Sequence, residues 1–121
     1  MTEIQINRRR NVEQFFEQLS SKEELISYKL AVPFVCIPDE LLAQWDSFSR
    51  NQLGWYKEIW NSNEWEELNE FDRFYREQLE ATPNEEIDFD VPEILETPTW
   101  VRIMTKAKMV NALLKKLHNS C

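Results

Sequence analysis

The chain has few of the residues on which catalytic and metal chemistry usually rests. Its 121 residues include one glycine, one histidine and two cysteines. A single glycine, Gly54, cannot build a glycine-rich phosphate loop. It also argues against a β-sandwich or barrel, whose tight turns would need many more. A zinc site or a catalytic triad needs histidine held by neighbours in a cleft, and His118 lies close to the C-terminus. Cys36 falls in the apolar run AVPFVCIP and Cys121 is the last residue. A buried thiol and a terminal thiol in a reducing cytosol is a simpler reading than a disulfide between them. No apolar run approaches the roughly 18 residues that span a bilayer. The opening MTEIQINRRR has no apolar stretch after its basic residues, so no secretory signal is expected and a cytoplasmic location is.

What is present points to helix. Hydrophobic residues make up 42% and charged residues 30%, the balance of a globular domain rather than a disordered chain. The length suits a single domain. Charge is unevenly placed: 17 acidic and four basic residues lie between Asp39 and Glu96, whereas residues 97–121 hold five basic residues and no acid. A polyanionic middle repels nucleic acid and anionic membrane. It favours a basic protein partner or cations and speeds encounter with either.

Along the chain, residues 1–10 look like a flexible N-terminal arm, followed by a single helical domain over 11–121. Val12, Phe15, Phe16 and Leu19 mark one buried helix face, and Ser21 with Glu24 marks the cap of a second helix. AVPFVCIP is bracketed by Pro33 and Pro38, which predicts a short extended apolar connector near 31–37 that carries Phe34, Val35 and Ile37 inward. Pro38 opens a helix with Leu41, Leu42, Trp45 and Phe48 on its apolar side. Asn63 with Glu66 offers a cap for a helix reaching Glu80, with Leu68, Phe71, Tyr75 and Leu79 inward. A long acidic loop follows over about 82–96. Thr97-Pro98 then starts a helix whose stripe Trp100, Ile103, Ala107, Val110, Leu114 and Leu117 is the clearest period in the chain. The sum is an all-α, compact single-domain bundle of four to six helices.

The stretch WYKEIWNSNEWEELNEFDRFY, from Trp55 to Tyr75, sets tryptophan among acids. Much of that acid is the wet face of one amphipathic helix: Glu66, Glu70, Arg73 and Glu77 lie opposite Leu68, Phe71 and Tyr75. Trp55, Trp60 and Trp65 recur every five residues, about 140° apart on a helix, so one straight helix cannot bury all three on one side. An exposed ring among carboxylates makes an anchor for a partner. The candidate partner-binding set is therefore Trp55, Glu58, Trp60, Glu64, Trp65 and Glu67, with Glu85, Glu86, Asp88 and Asp90 of the loop. These residues point to a non-catalytic acidic protein-binding module: an inhibitor, immunity protein, assembly factor or small subunit engaging a basic site on its partner. A nucleic-acid-binding protein is the sharper version of that partner. A homo-oligomer through the 100–117 stripe is a further option. The alternative class is a small cation-binding protein or carboxylate-using enzyme. EEIDFD at 85–90 is its best cation loop, yet that loop lacks the glycine and terminal glutamate of an EF-hand. No catalytic residue, metal ligand or cofactor site stands out.

Overall fold

Helix begins almost at the first residue. Thr2 accepts the Gln5 backbone N–H on its hydroxyl, and the Gln5 side chain accepts the Thr2 N–H in return. This reciprocal cap opens α1 (Glu3–Leu19). The computed structural model describes residues 2–49, 59–86 and 88–119, with side chains to 48 and to 116 in the first and last of these. The arm expected over residues 1–10 is thus helical from Glu3 onward. Its anchor is Arg9, which lies on the stripe of Val12, Phe16 and Leu19 and is buried with them.

Ser20 and Ser21 separate α1 from α2 (Lys22–Ala31), and the Ser21 hydroxyl accepts the Glu24 N–H at 3.2 Å. Residues 32–36 then form a turn rather than the extended connector expected there, closed by the Val35 N–H on the Val32 carbonyl at 3.1 Å. Only Ile37 is buried, Val35 is half-buried, and Phe34 and Cys36 face solvent. A turn this short between two helices holds its middle residues away from both. α3 (Ile37–Ser49) buries Leu41 and Trp45 and lays Leu42 and Phe48 against the core.

α4 (Ser62–Glu80) is capped by Asn61 and Glu64, two residues earlier than the Asn63–Glu66 pair expected. It buries Leu68, Phe71 and Tyr75, while Glu66, Glu70, Arg73 and Glu77 stay exposed. The acidic segment that follows is irregular, with 3-10 turns at Asn84–Glu86 and Glu93–Glu96 and with Val91, Ile94 and Leu95 buried. α5 (Pro98–Asn119) starts at Thr97, whose hydroxyl accepts the Trp100 N–H at 3.3 Å. Its stripe from Trp100 to Leu114 is buried against α4 and α1. Lys106 meets Glu70 at 3.0 Å and Arg102 donates to Gln78 at 2.8 Å across the α4–α5 seam. The stripe therefore serves the chain's own core.

The described residues contain no strand, and their five α-helices form an all-α bundle. Its centre is aromatic. Phe16 meets Phe71 edge-on at 4.8 Å, Trp45 meets Phe71 at 5.1 Å, and Phe15 stacks on Trp45 at 5.5 Å. The Trp45 indole N–H donates to Asp72 at 2.7 Å, so the one polar atom of that ring is satisfied. Arg76 bridges Asp72 and Asp46 and completes the α3–α4 seam.

Candidate functional site

The aromatic and acidic residues read from the sequence divide into two groups at opposite ends of α4. Trp60, Glu64, Trp65 and Glu67 sit at its start, and the loop acids follow its end. The helix between them has nineteen residues, roughly 28 Å at about 1.5 Å each. Trp55 and Glu58 lie outside the described residues.

The first group faces inward. Glu64 is 2% exposed and takes both oxygens to the Arg9 guanidinium, in a two-pronged pair with Arg9 Nη1 at 3.1 Å on Oε1 and Nη2 on Oε2. Glu64 Oε1 also accepts the Asn61 N–H at 3.0 Å, so one carboxylate caps α4 and anchors α1. Arg9 donates further to the Ile59 carbonyl at 3.3 Å and to Glu13 at 2.9 Å, and its guanidinium lies 4.3 Å from the centre of the buried Trp60 ring. Burial works against the Arg9 charge, but Glu64 and Glu13 outweigh it and raise its pKa. Trp65 is half-buried against the core and Glu67 is half-buried. Trp60 and Glu64 therefore join two helices and present no surface to a partner.

The second group meets a neighbour that sequence reasoning placed in the core. Asp90 Oδ2 accepts Lys29 Nζ at 2.7 Å, and its Oδ1 accepts the Val91 N–H at 2.7 Å and the Ile37 N–H at 3.0 Å. Lys29 also donates to the Val35 carbonyl at 2.7 Å. Burial opposes the Asp90 charge, yet Lys29 and the two backbone donors prevail and hold its pKa below the ordinary carboxylate value. Asp90 and Lys29 thus clamp the acidic loop onto the corner between α2 and α3. On that corner Phe34 is 87% exposed and Leu30 77% exposed. From the loop side come Phe89, 39% exposed, and the exposed carboxylates Glu85 and Asp88, while Glu86 is half-buried. Among the described residues, the exposed ring on the corner to which the acidic loop is tied is Phe34 rather than a tryptophan. The corner between α2 and α3 is short, and Phe34 at its middle turns outward rather than inward as expected.

Among the described residues no three His, Cys, Asp or Glu side chains are grouped to hold a metal ion. Partial desolvation of the exposed Cys36, together with the charges of Asp39 and Asp90, pushes its thiol pKa up, the reverse of what an activated nucleophile needs. No helix of the described residues is long and apolar enough to cross a membrane. Comparison with protein-family models, with curated proteins and with solved structures gave no match.

Proposed function

We propose that this chain is a non-catalytic binding module whose acidic, aromatic corner occupies a basic site on a partner protein. Phe34 carries the reading: a phenylalanine 87% exposed, on a corner fastened to a carboxylate-rich loop. Free exposure of so large a ring gains nothing for the isolated chain, whereas burying it in a partner removes its apolar surface from water. Glu85 and Asp88 on the loop and Asp39 just beyond the corner, all exposed, supply the field that draws in a cationic surface. Ring and acids thus divide the work, the ring holding the complex and the acids guiding it together.

The partner's chemistry follows from the charge. A region with 17 acidic and four basic residues complements a basic cleft, the kind carried by proteins that bind or cut nucleic acid. The module then acts as an inhibitor, an immunity protein or an assembly factor. The reducing cytosol is the compartment that suits it, because the exposed Cys36 would remain a thiol there.

The test replaces Phe34 with a photo-cross-linking amino acid in the full chain, expressed in the native cell. A defined protein adduct is expected from position 34, lost when Glu85 and Asp88 are both changed to Lys. No adduct from position 34, with a defined adduct from the exposed Met109 on the far helix, would move the interface off this corner and overturn the reading.

A further inference from the structure

A second feature is a cleft that the Phe34 side chain does not line. α1, α2 and α3 enclose an open cleft of about 830 Å³, within the size range of ligand sites. Along the α1 wall, Asn11, Gln14 and Gln18 follow one another at steps of three and four residues, a single helical face. Gln44 of α3 and Tyr28 of α2 stand on the other walls, with the Gln44 amide 3.5 Å from the Tyr28 hydroxyl. Half-buried Phe48 and Tyr28 supply its apolar surface, with the buried Phe15 behind Phe48 in edge-to-face contact at 5.9 Å. Glu17 and Glu24 also line it, and among the described residues no Lys, Arg or His does.

We propose that this cleft is a slot for a short extended peptide segment whose side chains alternate between cationic and apolar. Each side-chain amide carries both donors and an acceptor, so a row of them can meet the alternating N–H and C=O groups of a strand. From Asn11 to Gln18 the row rises about 10 Å, the length of roughly three extended residues. In a strand, successive side chains point opposite ways. An apolar central residue then rests on Phe48 and the Tyr28 ring while its two neighbours reach outward to Glu17 and Glu24. Glu17 already meets Lys115 at 3.5 Å, but that pair is wet, with side chains 49% and 56% exposed. A guanidinium can displace such a pair at little loss. The carboxylates of Glu17 and Glu24 repel acidic peptides and phosphates.

The experiment is a nitrogen-15 NMR titration of the full chain with acetyl-Arg-Leu-Arg-amide, and in parallel with acetyl-Glu-Leu-Glu-amide. The arginine peptide should move the side-chain amide signals of Asn11, Gln14 and Gln18, and the glutamate peptide should leave them in place. Replacing Gln14 and Gln18 together by Ala should weaken binding about tenfold, from the loss of two hydrogen-bonding groups. Gln14 is exposed and Gln18 half-buried, so the variant should keep its helical circular dichroism. Unmoved amide signals, equal shifts with both peptides, or shifts confined to residues 85–90 would each overturn the proposal. If the double variant fails to fold, shift mapping on the unaltered chain decides alone. The result is independent of whether Phe34 binds a protein.

Discussion

Of three consecutive arginines, only Arg9 is buried, and its pairing with Glu64 sets the strongest expectation at the residue scale. Removing one partner of a buried pair leaves the other charge without compensation, so Glu64→Ala should cost about 3–5 kcal/mol in a urea titration. The pair of Lys22 with Glu96 is exposed, and Lys22→Ala should cost under about 1 kcal/mol. Equal effects would mean that the Arg9 site is wetter than its geometry indicates. Asp90 gives a pH prediction. Its folded pKa is depressed, so its contribution is complete above the unfolded carboxylate pKa, near 4, and is lost as pH falls through the lower folded value. The stability gap between the chain and Asp90→Asn should therefore be constant near neutrality and shrink below about pH 4. A gap that persists unchanged into stronger acid would show that the carboxylate's charge is not what fastens the corner. Arg9 was read as part of the N-terminal arm, although it lies one turn before Val12 at the spacing of the stripe. Its partner was not legible, because Glu64 is 55 residues away and nothing local marks the pairing.

At the scale of elements, the sequence was a good guide wherever a cap and an apolar stripe agreed. Ser21 and Thr97 start helices as their hydroxyls suggest, and α5 buries its expected stripe from Trp100 to Leu114, the Leu117 side chain lying outside the described residues. The start of α4 was ambiguous, because Asn61 with Glu64 and Asn63 with Glu66 offer the same cap. Tertiary contact chooses between them, since only the earlier cap uses the carboxylate that also binds Arg9. The 32–36 corner was misread for a related reason: apolar composition suggested burial, but chain length governed where Phe34 could go. Val110 and Leu114 are both buried, so changing both to Ala should cost several kcal/mol, about 2–5 for the leucine alone. Thr97→Ala should cost about 1 kcal/mol through the lost cap. A double variant that melts at the unaltered temperature would place the α5 stripe outside the core. Both effects are measured by thermal unfolding followed at the helical circular dichroism band.

Across the whole molecule, the stretch from Trp60 to Tyr75 resolves into a dry side and a wet side. Its rings build the centre of the bundle, and Glu66, Glu70 and Glu77 remain in water. The tryptophans there were read as a partner surface, whereas Trp60 is buried and Trp65 is half-buried against the core. The exposure of Phe34 was not legible, because an apolar run suggested burial and the pairing of Lys29 with Asp90, which ties the loop to that corner, spans 61 residues. The account's central claim is that this corner binds by ring and field together, and the two contributions separate kinetically. The decisive measurement is the association and dissociation rate, at low and high salt, for the protein cross-linked through position 34. Phe34→Ser should speed dissociation about tenfold or more and leave association nearly unchanged. Glu85→Lys with Asp88→Lys should instead slow association at low salt and flatten its salt dependence. Rates unchanged by Phe34→Ser, or association insensitive to both salt and charge reversal, would contradict the account.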